Sequence, residues 1–283
     1  MEAERRLTIQ GALDRATAVL ASAGIREPRR EAVRLLGDML GMTQAELMLG
    51  RAGVLEPDRR RWLDRAVERR ARGEPLAYVT GLAGFRRLDL RVDRRTLIPR
   101  PETEAVVDHA LRLCPGGDAV DIGTGTGCLA LSLRLEGRYR RVLGVDRSAE
   151  AIAVAADNRH RLGLAVDLVR ADLTTALDRA SVDLIVSNPP YISAAEYEDL
   201  DPGVLAFEPR LALESGADGL DATRRLVADA PRVLRTGGWL IVEIAADRGE
   251  ASARLAVEAG LGQVRVDDDV YGRPRYLTAC KGE

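Results

Sequence analysis

Residues 119–128 read Ala-Val-Asp-Ile-Gly-Thr-Gly-Thr-Gly-Cys, a short apolar run that breaks at Gly123 into alternating glycines and gives way to helical spacing from Leu129. That order is strand, tight turn, helix. Gly123, Gly125 and Gly127 let the backbone turn sharply and approach a ligand with no Cβ in the way. The dinucleotide pattern GxGxxG would need glycine or alanine at position 128, where this chain has Cys128, so a nicotinamide or flavin dinucleotide is disfavoured. No GK[ST] follows the loop, which excludes a phosphate P-loop.

Downstream the same alternation continues. Strands are expected at 119–123, 141–146, 166–172 and 182–188, with helices from Gly127 and Ala149 between them. A helix at 219–234, a strand at 237–244, a helix at 248–259 and two strands near 263–270 and 274–280 complete seven strands. Strands alternating with helices imply an α/β fold with a parallel sheet covered on both faces. Upstream, residues 7–23, 29–41, 43–49 and 57–72 carry apolar residues at three- and four-residue spacing, with Thr43 and Glu46 as a capping box and Gly24, Gly41 and Gly73 at helix ends. They form a small helical bundle. Between the two, Leu88 to Val92 alternates and Asp93-Arg94-Arg95 reads as a turn, which suggests a hairpin connector. The boundaries expected are 1–75 for the bundle, 76–100 for the connector and 101–283 for the α/β domain.

At 283 residues the chain suits about two domains. Its 46% apolar and 30% charged residues exclude a disordered chain, and no apolar run nears the roughly 18 residues of a membrane span. The charged start, MEAERRLTIQ, leads into no signal-like apolar region, so a cytoplasmic protein is expected. Cys114, Cys128 and Cys280 are too few and too dispersed for disulfides, and with two histidines they form no metal-binding spacing. No metal is expected. Lys281 is the sole lysine, and residues 1–100 carry a net charge of +7 against −9 beyond. Arginines interleaved with acids at helical spacing read as a solvated face rather than a nucleic-acid surface.

Asp146 closes the second strand, where a carboxylate accepts hydrogen bonds from both hydroxyls of a ribose. Asp172 closes the third, where it or a neighbouring amide addresses an adenine edge while Leu173 covers the ring. Asp121, beside Thr124 and Thr126 of the loop, adds negative charge for a cationic ligand. A cationic nucleoside without phosphate is S-adenosylmethionine. Asn188-Pro189-Pro190-Tyr191 ends the fourth strand at the carboxyl edge of the sheet, where open α/β sheets bind ligands. Two prolines remove two N–H donors, so this backbone offers only carbonyl oxygens, and Asn188 adds one more. Such a corner receives both hydrogens of a planar –NH2 group, with Tyr191 placed to stack on its plane. Asn188, Pro189 and Tyr191 are therefore the candidate catalytic residues, and Asn188 to Tyr191 the candidate substrate site.

With EPLAYVTG (74–81), TLIPRPETE (96–104), DIGTGTG (121–127), SNPPYI (187–192) and FEPRLALESGADGL (207–220) in that order, the chain resembles the N(5)-glutamine methyltransferases of peptide-chain release factors, the HemK or PrmC family. The resemblance implies a seven-stranded, Rossmann-like class I methyltransferase domain behind a helical substrate-recognition domain and a β-hairpin. It implies S-adenosylmethionine contacts from Gly123 to Gly127, Asp146, the Leu173 position and Asn188, with the substrate glutamine at Asn188 to Tyr191. The implied partner is a release factor, with no direct nucleic acid and no membrane. An N6-adenine methyltransferase would use the same corner, as would a glutamine methyltransferase of a ribosomal protein, and an idle S-adenosylmethionine-binding module is a third class. No target-recognition domain or basic tail supports the adenine reading. One stretch departs from the family's EIGxxQGE: here Ala245 and Arg248 stand at the glycine and glutamine positions.

Overall fold

The computed structural model describes residues 7–282, and the expected segments at 1–6 and 283 lie outside them. The chain forms two compact units. One comprises the residues up to Gly81 together with Pro202–Phe207; the other comprises Leu82–Asp201 and Glu208 onward.

In the first unit, α1 (Ile9–Ser22), α2 (Pro28–Leu40), α3 (Gln44–Leu49) and α4 (Pro57–Ala71) fall where the apolar spacing places them. Their caps follow the sequence. Thr8 caps α1, Thr43 and Glu46 close the capping box of α3, and Gly41 ends α2 in the left-handed conformation. Leu13, Leu20, Leu35, Leu36 and Leu47 are fully buried in the core, and Arg70 on α4 reaches Glu31 on α2 at 2.5 Å. A short α5 (Leu76–Thr80) occupies the start of the expected hairpin connector; the guanidinium of Arg69, paired with buried Glu74, donates to the carbonyl of Tyr78 and ties it to α4.

The second unit opens with β1 (Leu82–Phe85) and β2 (Leu88–Arg91), an antiparallel hairpin. Its closing turn is Arg86-Arg87, whereas Asp93-Arg94-Arg95 lies beyond β2. Arg86 takes φ 51° without being glycine, and its anchors explain why. The backbone N–H reaches Glu104 at 2.8 Å, and the guanidinium pairs with Glu136 and Asp108, each at 2.8 Å. Next come a 3₁₀ turn at Pro101–Thr103 and α6 (Glu104–Leu113), an amphipathic helix absent from the sequence reading. Then follow β3 (Gly116–Ile122), α7 (Cys128–Glu136), β4 (Arg138–Asp146), α8 (Ala149–Leu162), β5 (Asp167–Arg170), β6 (Val182–Ser187) and α9 (Ala194–Glu198). α10 (Pro202–Phe207) belongs to the first unit. α11 (Asp221–Val233), β7 (Leu234–Glu243), α12 (Gly249–Glu258), β8 (Gly262–Asp268) and β9 (Pro274–Cys280) complete the fold.

The seven strands order as β5-β4-β3-β6-β7-β9-β8. The sheet is mixed rather than wholly parallel, because β9 pairs antiparallel with both β7 and β8. Asp269 dictates this return: its carboxylate accepts from the N–H groups of Tyr271 and Arg273 at 2.9 and 3.1 Å, closing a turn too short for a crossover. Successive strand residues feed opposite cores, Ala119, Leu184 and Ile241 joining Val106 and Leu129 on one face, Val120, Ile185 and Leu240 joining Leu226 and Val233 on the other. Burial on both faces makes the central runs Leu184-Ile185-Val186 and Leu240-Ile241-Val242 apolar, whereas the edge strands β5 and β8 stay polar and largely exposed. Strand order reverses between β3 and β6, so their carboxyl ends flank the crevice where such sheets bind ligands.

Candidate active site

Ile122 and Ser187 are register partners at the ends of β3 and β6, so the glycine loop and the Asn-Pro-Pro-Tyr corner leave the sheet side by side. A Cβ on Gly123 would stand 3.9 Å from the carbonyl oxygen of Asn188. Around this point lies a cleft of about 610 Å³. Asp121, Gly123, Thr124, Gly125, Thr126, Asp146, Asp172, Leu173, Asn188, Pro189 and Pro190 line it, all residues singled out from sequence.

Two expected residues do not line it. Gly127, at φ 84°, heads α7, and a Cβ there would press to 3.0 Å on Leu131; its glycine serves packing. Tyr191 turns its hydroxyl toward the carboxylate of Glu243, at 3.5 Å, and burial pushes that hydroxyl up to about 12.

The loop holds its carboxylates firmly. Asp146 accepts from Gly125 N–H at 3.0 Å on one oxygen and from Ser148 N–H at 2.9 Å on the other, which leaves lone pairs on both for further donors. Burial raises its pKa. Asp121 accepts from Thr124 Oγ1 at 2.6 Å and Ala130 N–H at 3.2 Å through one oxygen, while its buried Oδ1 has no partner. Burial pushes this carboxyl up to about 7. An orphaned carboxylate oxygen beside a cleft, with glycines at φ 77° and 53° leaving room, fits a ligand that brings hydrogen-bond donors and positive charge. Asp172 is half exposed and paired with Arg225 at 2.5 Å, and Leu173 holds φ 49°.

On the corner side, Asn188 Nδ2 donates to Thr103 Oγ1 at 3.0 Å, and Thr103 Oγ1 donates to Glu243 Oε2 at 2.6 Å. Glu243 is buried, and desolvation pushes it up to about 7 against the lowering effect of Thr103. Neither Thr103 nor Glu243 was assigned a role from sequence; Thr103 lies in TLIPRPETE, and Glu243 opens the stretch that departs from the family's pattern. No role was read either for Thr96, Leu97 and Pro99, or for Pro209, Leu211 and Ser215, which line the cleft together with Thr103. Arg100 joins these two blocks by reaching Glu208 at 2.6 Å. Arg248 donates to the carbonyl of Asp218 at 2.7 Å and pairs with Glu196 at 2.5 Å, so a cation at this position pins the segment after the corner. Among the described residues no cluster of His, Cys, Asp and Glu could hold a metal.

Residues 11–81 match the family described as PrmC N-terminal domain, and residues 103–200 the family described as Methyltransferase small domain. A release factor glutamine methyltransferase of Cereibacter sphaeroides is 42% identical over 270 residues, covering 95% of this chain and 96% of the relative. Another so named, from Geobacter sulfurreducens, is 42% identical over 271 residues, 95% of each chain. Among solved structures, a methyltransferase from Pyrococcus furiosus shares the fold, with a TM-score of 0.53 at 19% identity over 69% of this chain and 90% of that one.

Proposed function

The chain belongs to the family of release factor glutamine methyltransferases, and from that premise we propose that it methylates the side-chain amide nitrogen of the glutamine in the Gly-Gly-Gln loop of peptide-chain release factors. It is a methyltransferase that uses S-adenosylmethionine. One observation carries the reading: an acceptor-rich corner meets a glycine loop, flanked by the buried Asp121 and the half-buried Asp146, at the switch point of the sheet.

When bound, S-adenosylmethionine supplies an electrophilic sulfonium methyl group. Asp146 offers its free lone pairs to the ribose hydroxyls, Asp121 its orphaned oxygen to the cationic end, and Leu173 covers the base beside Asp172. An amide nitrogen is a weak nucleophile because its lone pair is delocalised. Asn188 Oδ1 and the carbonyls around Pro189 and Pro190 accept its two N–H hydrogens, which raises electron density on nitrogen and fixes the direction of its lone pair. Positioning of this kind supplies up to about 7–11 kcal/mol of a barrier. As the new N–C bond forms the S–CH3 bond would break with its electron pair left on sulfur, the carbonyl acceptors stabilise the positive charge that develops on nitrogen, and the amide's surplus proton passes to solvent water. Tyr191 supports the corner through Glu243.

We further propose that the helical bundle, residues 1–75 in the sequence reading with 76–100 as connector, docks the substrate protein. A folded release factor must bring one loop to a corner that holds one side chain, and a second docking surface raises the effective concentration of that loop. The site of action is the cytoplasm; three free cysteines fit a reducing compartment. The test offers isotopically labelled S-adenosylmethionine together with a purified release factor, ribosomal proteins and adenine-containing DNA. Label on the Gly-Gly-Gln glutamine is expected; label on adenine N6 or only on a ribosomal protein replaces this reading.

A further inference from the structure

An asparagine can face a substrate with its carbonyl or with its NH2, and only the carbonyl serves an incoming amide N–H. Two buried groups, Thr103 and Glu243, decide which one Asn188 presents. Glu243, as a carboxylate, only accepts. Thr103 therefore spends its hydroxyl proton on Glu243 Oε2, at 2.6 Å, and its oxygen is left as an acceptor for Asn188 Nδ2, at 3.0 Å. Nδ2 is thereby committed to the protein interior. Oδ1, which takes no hydrogen bond among the described residues, is left for the cleft that Asn188 lines. Glu243 and Thr103 are 1% and 2% exposed, so water does not compete for these bonds.

We infer that Thr103 and Glu243 are positioning residues that set the donor–acceptor polarity of Asn188, so that its carbonyl and not its NH2 meets the substrate amide. This rests on the function proposed above and adds residues to it. The sequence separations, 85 residues from Asn188 to Thr103 and 140 from Thr103 to Glu243, place the three on different elements that meet only in the folded unit. Thr103 is itself held in place: the 3₁₀ turn that carries it is tied down by Tyr276, whose hydroxyl donates to the Glu102 carbonyl at 2.7 Å.

The chain has a titratable end. A protonated Glu243 can donate to Thr103, which frees the threonine proton for Asn188 and permits the opposite amide orientation. Burial pushes Glu243 up to about 7, and the titratable and charged groups facing it are Glu102, Arg275, Tyr191, Tyr276 and Cys128. Ionisation of Glu243 therefore switches the productive polarity on as pH rises through neutrality.

The test uses the full chain, a Gly-Gly-Gln peptide and a purified release factor. Thr103→Val is expected to lower kcat about tenfold or more, with S-adenosylmethionine affinity by calorimetry unmoved. Thr103→Ser, which keeps the hydroxyl, recovers most of that loss. Wild-type kcat rises from about pH 6 to 8, and Glu243→Gln, whose amide imposes no polarity, flattens the rise. Unchanged kcat in Thr103→Val, or a serine variant as impaired as the valine one, overturns the relay. If Thr103→Val folds poorly, the pH profile of Glu243→Gln decides, and a profile parallel to wild type counts against the relay. A wild-type protein that methylates neither substrate overturns the proposed function itself, and the relay with it; activity in the wild type without the variant effects removes the relay alone.

Discussion

The glycine loop and the proline corner stand side by side at the ends of β3 and β6, yet they are built on opposite principles. The loop is made by its backbone: positive φ at Gly123, Gly125 and Gly127 sets its path, and N–H groups of Gly125 and Ser148 orient Asp146 from within 21 residues. The corner is made by side chains brought from far away, with Asn188 oriented by Thr103 and Thr103 by Glu243. A ligand of fixed shape is met by a fixed backbone. A reacting amide, whose hydrogens must be received in one orientation, is met by polar groups whose direction other groups enforce.

The sharpest way to break this contrast is to change one group on each side. Asn188→Ala removes an acceptor from the reacting amide and is expected to lower kcat about 10²–10³-fold, as loss of a transition-state hydrogen bond does, while calorimetric affinity for S-adenosylmethionine changes little. A variant within a few-fold of wild type would leave the corner without its assigned chemistry. Gly127→Ala should act through folding alone: the new Cβ meets Leu131 at 3.0 Å with φ at 84°, and a strained left-handed residue costs about 1–3 kcal/mol. Chemical denaturation reads that loss, and kcat per folded molecule should hold. Asp146→Ala should weaken S-adenosylmethionine binding by about 1–3 kcal/mol, the cost of charge-assisted ribose bonds, without altering kcat at saturation. A fall in kcat there would blur the division between the two sides.

A further effect is one of pH on the protein without ligand. Asp121 and Glu243 have ordinary values of 3.8 and 4.5, and burial pushes both up to about 7. The folded state therefore holds protons that the unfolded state has released, so their contribution to stability is full below about pH 4 and is lost as pH rises through about 7. Melting curves from pH 4 to 8 should show a shallower decline in Glu243→Gln than in wild type. Equal slopes would mean that Glu243 titrates like a solvated carboxylate and is not held in the dry environment described for it.

What could be read from the sequence follows the same division. Alternating glycines after an apolar strand, carboxylates at successive strand ends and two adjacent prolines are local signals, and the structure brings Asp121, Asp146, Leu173, Asn188 and Pro189 to one cleft. Thr103 and Glu243 gave no such signal, since a threonine near a helix start and a glutamate at a strand end have many ordinary uses. Likewise Arg86 forms the hairpin turn without glycine because Glu136, 50 residues on, and Asp108 hold its side chain, whereas Asp93-Arg94-Arg95 has turn-like residues and no strand to return along. Helix α6 went unread although Val106, Val107 and Ala110 give it one buried face. The antiparallel β9 depended on Asp269 closing a short turn, a hydrogen-bond pattern rather than a composition.

The helical unit is not one stretch of chain: it takes Pro202–Phe207, which runs from beyond the corner into the first residue of the FEPRLAL block, more than 120 residues past Gly81. For inheritance and engineering alike this makes it a two-piece module. A single crossover near Gly81 would deliver a bundle from one parent and its α10 from the other, so chimeras built to exchange substrate preference should carry both segments.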